Sequence, residues 1–266
     1  MNCDASSFPE LDLQGRVLAE LTAAAAERGV SLLVIGAAAR DILMTCIGLE
    51  LGRATRDLDV AVAVTSMAEF EGLLSAFPRA VGRGSHSIMV QGLEVDVVPF
   101  GGVESMTRRI AFPDGFELDV LGVAEALGAA VRVTLPHGVT VRVPTFAAQA
   151  VLKLFAWRDR RYATSKDAID LRAILGTGWR GLQLDRLYAE EWETVEKWGG
   201  DVVAASAAVL GREGATLLEP AGRAEVLGML REAHLMEALA GTAGSMAAEF
   251  LLQLDAYRDG FSSVNA

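Results

Sequence analysis

Apolar positions recur along this chain first with mixed periods and then, after about residue 144, with a helical period alone. Residues 10–28 carry apolar side chains at helical spacing up to Gly29, which predicts an amphipathic helix. Residues 31–35 are a short apolar run closed by Gly36, the signal of a buried strand, and 37–47 again read as helix. From Asp57 the pattern alternates: Leu58, Val60, Val62 and Val64 share one strand face, and Asp57, Asp59, Ala61 and Ala63 share the other. Ser66 or Thr65 can cap a helix running through Ala76, with Glu69 placed as the far member of a capping box.

Residues 86–90, a turn at Gln91-Gly92, and 93–98 predict a hairpin stopped by Pro99 and Gly101-Gly102. A further strand is expected at 116–120. A second hairpin is expected where 131–135 and 139–143 flank Pro136-His137-Gly138. After Pro144 the strand signature is lost, and helices are expected at 145–158, 165–176, 183–197, 201–211, 222–240 and 243–258. The expected fold class is therefore α+β, with a mixed-sheet domain over 1–144 and an all-helical domain over 145–266.

Composition narrows the classes further. A chain of 266 residues, 52% hydrophobic and 22% charged, can bury a substantial core and is not disordered. No apolar run reaches the ~18 residues that span a bilayer, and the first residues lack the basic and apolar regions of a signal peptide. Cys3 and Cys46 make no disulfide framework, so unpaired thiols and a cytoplasmic location are the expectation. His86, His137 and His234 lie far apart, which argues against a His/Cys zinc centre and leaves a hard cation held by carboxylates. A formal charge of -11 excludes indiscriminate polyanion binding but not a local basic site. Such an island exists: residues 150–175 hold six basic and three acidic side chains, whereas 180–266 hold seven basic and fourteen acidic ones.

Chemistry is suggested by one constellation. Asp57 and Asp59 stand two apart on a strand, so their carboxylates should share a face and repel unless a cation lies between them. Mg²⁺ is commonly held by such a pair together with substrate phosphates. Asp96 occupies a second strand whose neighbours Val95 and Val97 can face the core; if the two strands adjoin, it joins the pair and two metals can be held. Upstream, strand–Gly36–helix offers free N–H groups and a helix dipole to a phosphate. A D-x-D pair alone is most often a pair of strand-end acids that are solvated or paired with arginine. The order strand–Gly–helix, D-x-D strand, then a lone Asp on a later strand is much more selective.

These residues resemble the core of the DNA polymerase β-like nucleotidyltransferase superfamily. More closely, the chain is similar to the AbiEii/AbiGii nucleotidyltransferase toxins of bacterial type IV toxin–antitoxin systems. The resemblance runs through Gly36…Ala39-Arg40-Asp41, Arg53-Ala54-Thr55-Arg56-Asp57-Leu58-Asp59 and Val95-Asp96-Val97-Val98-Pro99-Phe100-Gly101. It continues in Leu152-Lys153-Leu154-Phe155-Ala156-Trp157 and Lys166-Asp167-Ala168-Ile169-Asp170-Leu171. It implies an N-terminal nucleotidyltransferase core and metal-dependent transfer of a nucleoside monophosphate from an NTP to a hydroxyl, with pyrophosphate released. Asp57, Asp59 and Asp96 would hold Mg²⁺ or Mn²⁺. Gly36, Ala37, Arg56 and Lys153 would bind the nucleotide, and Asp167 would be the catalytic acid of the helical half. The implied partners are an NTP, a tRNA 3′ end or other RNA acceptor, and a winged-helix antitoxin, with no membrane. The chain departs from the family at Ala37, where the motif usually has Ser or Gly, so a hydroxyl contact to the triphosphate is missing.

Other readings stay open on the residues themselves. Arg53 and Arg56 can grip phosphates or merely neutralise Asp57. Lys153, Trp157 and Arg161 share a helix face, either as a phosphate strip with a stacking indole or as a solvated basic face over a core tryptophan. Asp167 and Asp170 share a face too, or are a helix N-terminal acid and a partner for Lys166. His86 can reach the Asp96 strand or sit in the core, and Arg108-Arg109 reads as a solvated loop pair. Two alternative functions remain: a catalytically degenerate module that binds a nucleotide or partner, and a small-molecule nucleotidyltransferase of the aminoglycoside-modifying kind.

Overall fold

The alternation that begins at Asp57 becomes the central strand of the N-terminal sheet. The computed structural model describes residues 2–49, 57–82, 84–112, 115–181 and 184–264. The chain divides into two compact units, Met1–Thr145 and Phe146–Ala266. The first is mixed sheet and helix, the second helical, so the fold is α+β.

In chain order the first unit comprises β1 (Asn2–Asp4), α1 (Asp12–Ala26), β2 (Ser31–Ile35), α2 (Gly36–Cys46), β3 (Asp57–Val64), α3 (Met67–Leu74), β4 (Ser87–Val90) and β5 (Leu93–Gly101). These are followed by β6 (Arg109–Ala111), β7 (Glu117–Asp119), α4 (Val123–Gly128), β8 (Val131–Thr134) and β9 (Thr140–Val143). The main sheet has the order β2-β3-β5-β4, with β3 and β5 parallel and the two flanking pairs antiparallel. Leu58, Val60, Val62 and Val64 on β3, and Val95 and Val97 on β5, are all buried. Register puts Leu58 opposite Val95 and Val60 opposite Val97, so one face of the sheet is core and the other can carry polar chemistry.

Local chemistry sets the edges. Ser66 caps α3 by accepting from the Glu69 N–H at 3.2 Å, and the Glu69 carboxylate accepts from the Thr65 N–H at 2.7 Å and the Thr65 hydroxyl at 2.9 Å. Pro99 does not stop β5: the strand continues to Gly101, with Pro99 opposite Val62. β4 reaches only as far as Asp96 along β5, so no ladder bond on that edge is lost to the missing N–H. The hairpin at β8 and β9 pairs Val131 with Val143, and β1 adds to it in parallel through Asn2 and Arg132.

Short elements escaped the sequence pattern. β1 and β6 have three residues each and α4 has six, too few for a period to declare itself, whereas β7 lies within the strand expected at 116–120. The cysteines are a correction as well. Cys3 on β1 and Cys46 at the end of α2 form a disulfide, their Cα atoms 6.3 Å apart, where the sequence suggested unpaired thiols. A separation of 43 positions says nothing of distance; the parallel addition of β1 to β8 fixes Cys3 in the sheet opposite Val133.

The second unit comprises α5 (Phe146–Arg160), α6 (Lys166–Gly181), α7 (Leu184–Glu190), α8 (Trp192–Lys197), α9 (Val202–Leu217), α10 (Pro220–Arg231), α11 (Ala233–Gly241) and α12 (Ala247–Ser263). Two expected helices are broken, at Glu191 and at Glu232, whose backbones leave helical geometry without a proline or glycine to announce it. α9 and α12 meet closely because Gly260 leaves no side chain between its backbone and the Ala208 carbonyl. Tyr257 is wholly buried there, and burial pushes its phenol well above the usual range. Among the described residues no helix is long and apolar enough to cross a membrane.

Candidate active site

Asp59 and Asp96 are direct register partners across the parallel β3–β5 pair. Each sits between buried residues of its own strand and is therefore turned to the face away from the core. The sequence needed the two strands to be neighbours for this, and they are. Asp57 opens β3 opposite Glu94. Its side chain, and Arg53 and Arg56, lie outside the described residues.

Behind Asp59 the chain leaves β2 at Ile35, the register partner of Asp59, and enters α2 through Gly36 at φ +67°. A β-carbon built on Gly36 would stand 2.8 Å from Asp59 Cγ and closer still to Oδ2. The carboxylate therefore lies against bare backbone at the first residue of a helix. Only glycine has both the left-handed freedom and the missing side chain for this arrangement. Ala37 follows, half-buried in the first turn of α2. Further along α2, Arg40 Nε and Nη2 donate to the buried Asp41 at 2.9 and 2.6 Å.

Ser87 is a residue the sequence did not flag. Its hydroxyl donates to Asp96 Oδ1, and Ser87 is itself buried. Its register place opposite Asp96, one strand further out, explains the contact, and only strand pairing could reveal it. His86 does not reach this face: its ring stacks on Phe116 at 5.3 Å and packs on Phe112 at 5.2 Å. His137 is bonded to Asp12 at 2.8 Å, and Arg108, read from the sequence as solvated, pairs with Glu104 and Glu125.

Whether a cation suits this face is a question of donors. No group of three or more His, Cys, Asp and Glu side chains that could hold a metal ion occurs among the described residues. The two carboxylates that are described are hard oxygen donors on adjacent strands at one register level, and Asp57 is two residues from Asp59. That set fits a Mg²⁺ or Mn²⁺ half-site and would not suit a soft metal.

The helical unit holds a second constellation. Lys153 on α5 donates to Asp167 at 3.2 Å and pairs with Asp170 at 2.6 Å, both on α6; Arg160 holds Asp167 at 2.9 Å. The Asp167 side chain is 2% exposed and that of Lys153 12%. Lys153 is thus an internal ion-pair member, and it takes Asp170, which the helical spacing had offered to Lys166. The proposed phosphate strip of Lys153, Trp157 and Arg161 is not formed as such. Trp157 is buried, with the Arg161 guanidinium over its ring at 5.7 Å. Arg158, too, is neutralised, by Glu225 and Asp159.

Comparison with known proteins gives one extended match. The family described as "Nucleotidyl transferase AbiEii toxin, Type IV TA system" matches residues 20–262. No curated protein matches in sequence. Among solved structures, the solution structure of the antibiotic-resistance factor ANT(2'')-Ia is 13% identical, over 70% of this chain and 94% of that one, with a TM-score of 0.39. The crystal structure of the same factor in complex with adenylyl-2''-tobramycin is 16% identical over 70% and 99%, also at 0.39. The Thermotoga maritima CCA-adding enzyme complexed with tRNA is 15% identical over 96% and 80%, at 0.25.

Proposed function

The chain belongs to the AbiEii nucleotidyl transferase toxin family of type IV toxin–antitoxin systems, and on that premise we propose that it moves a nucleoside monophosphate from an NTP to the hydroxyl of an RNA 3′ end, such as that of a tRNA, as a growth-arresting toxin. The observation that carries this reading is the Asp59–Asp96 register pair beside the Gly36 turn, which sets acids and a helix N-terminus together as a nucleotidyl transfer needs.

Asp57, Asp59 and Asp96 would hold Mg²⁺ or Mn²⁺. The cation would supply charge neutralisation at the phosphates and a lowered pKa for the attacking hydroxyl. Backbone N–H groups at Gly36 and Ala37 would receive phosphate oxygens at the positive end of α2, without the hydroxyl that Ala37 lacks. Ser87, by holding one oxygen of Asp96, would fix the direction in which the other points. Lys153 and Asp167 keep the roles the family pattern gives them, phosphate contact and acid. Two of the three donors of the Lys153 ammonium are engaged by carboxylates, which leaves one for a phosphate. Attack of the hydroxyl on the α-phosphorus forms the new ester as the bond to the β-phosphate breaks and pyrophosphate departs.

Incubation with labelled NTPs, Mg²⁺ and total tRNA tests the reading. Label should pass to RNA in wild type and not in Asp59→Ala. No Mg²⁺-dependent transfer, or transfer undiminished in Asp59→Ala, would sink it. A protein active in this way should act in a bacterial cytoplasm beside a winged-helix antitoxin, and co-expression with the neighbouring gene would show whether growth is rescued.

A further inference from the structure

Arg132 on β8 and Arg142 on β9 are direct cross-strand partners in an antiparallel ladder. Their neighbours Val131, Val133, Val141 and Val143 are buried, so both arginines stand on the outer face of the hairpin, Arg132 exposed and Arg142 half-buried. Among the described residues neither guanidinium has a carboxylate partner. Glu125 on the neighbouring α4 is taken by Arg108 at 3.2 Å. Asp4 stands opposite Thr134, two residues on along β8, and accepts the Ser6 N–H at 2.9 Å. Like charges directly opposite in a ladder destabilise it unless an anion lies between them. In a chain of net charge -11, an uncompensated pair of this kind is a costly feature with a ready use.

The pair opens onto a cleft of about 430 Å³ whose remaining wall is Ala124, Leu127, Gly128 and Ala130. Three of these four, Ala124, Gly128 and Ala130, have small side chains or none and let a ligand's backbone approach closely, and the wall offers no aromatic ring to a base. Two guanidinium forks at one rung match the oxygens of phosphate groups. We propose that Arg132 and Arg142 form a phosphate site that grips the phosphodiester backbone of a polynucleotide strand, independent of its sequence. The basic stretch around Lys153 serves this purpose less well, because three of its six cations, Lys153, Arg158 and Arg160, are already engaged by Asp167, Asp170, Asp159 and Glu225. The assignment extends the reading of an RNA acceptor, yet its test needs no transfer.

Binding of fluorescent tRNA is measured by anisotropy in EDTA, without nucleotide, across a salt series, for wild type and for Arg132→Gln/Arg142→Gln. The double variant should bind at least about tenfold more weakly, with a salt slope shallower by about one to two. Its melting temperature should hold or rise as the like-charge rung is removed. Calorimetry with inorganic pyrophosphate separates the sources of phosphate. Pyrophosphate binding that disappears in the variant while RNA affinity is unchanged would assign the site to a free polyphosphate and overturn the polynucleotide assignment. Unchanged affinity for both ligands with a lower melting temperature would make the arginines structural supports of the α4 end and overturn the site entirely. RNA binding that depends on the arginines, in a protein that shows no transfer, would refute the catalytic reading and leave this one standing.

Discussion

The carboxylate of Asp59 rests on the backbone of Gly36, at the turn where β2 becomes α2. This one contact ties the sheet, the helix N-terminus and the proposed metal face together. It makes Gly36→Ala the most informative single change. A side chain at φ +67° costs about 1–2 kcal/mol, and the methyl group must also push Asp59 aside. Urea unfolding should show a loss of about 2 kcal/mol. Transfer should fall about a hundredfold, since a displacement near 1 Å at a reacting centre has that effect.

Ser87→Ala removes the hydrogen bond that orients Asp96. Mn²⁺ affinity, followed by electron paramagnetic resonance, should weaken about 10–100-fold, as is usual when a support of a metal ligand is lost. Unchanged affinity would show that Asp96 needs no such support.

Lys153→Met leaves Asp167 and Asp170 facing each other with one cation fewer in a site that is nearly closed to solvent. Breaking a buried pair from one side costs about 3–5 kcal/mol. Arg160 still holds Asp167 but is itself more than half exposed, so a loss at the lower end of that range is expected in urea unfolding. Asp170→Asn should cost less than Lys153→Met, because Lys153 then retains Asp167.

The Cys3–Cys46 bond closes a loop between the first strand and the end of α2. Reduction should lower stability by about 2–4 kcal/mol through the greater freedom of the unfolded chain. Melting with and without dithiothreitol measures this directly, and Cys3→Ser should melt at one temperature under both conditions.

Glu69 accepts two hydrogen bonds from Thr65, one from its N–H and one from its hydroxyl, and these hold its carboxyl below the usual range of about 4.5. The sign follows from the depressed folded-state value. The cap contributes fully above the ordinary carboxylate pKa, and its contribution is lost as pH falls through the lower, folded value. An NMR titration of the Glu69 side chain should give a pKa that rises toward normal in Thr65→Val.

Much of this was legible before any coordinates. The D-x-D alternation on β3, the glycine after β2, the capping box at Ser66 and the hairpin about Pro136 rest on periods of two or on residues with special backbone freedom, and both act within a few positions of the chain. Other features were not. Ser87 beneath Asp96, Arg132 opposite Arg142, Lys153 between Asp167 and Asp170, and Cys3 against Cys46 are all meetings of residues distant in sequence or paired by register. Trp157 could be placed on a helix face with Lys153 and Arg161, but whether that face was wet or buried depended on what packed over it.

The sequence by itself determined the periods, the caps, the change from mixed sheet to helix near residue 144 and the acids that belong on one strand face, because steric and hydrogen-bonding rules fix these locally. Only the tertiary structure decided which strands adjoin and which charges find partners. Strand order brought Asp96 level with Asp59, and helix packing paired Lys153, Arg158 and Arg160 of the basic island with carboxylates, while the hairpin left Arg132 and Arg142 without a carboxylate partner among the described residues. Those outcomes depend on burial and on Coulombic pairing across long separations, and no stretch of chain encodes them alone.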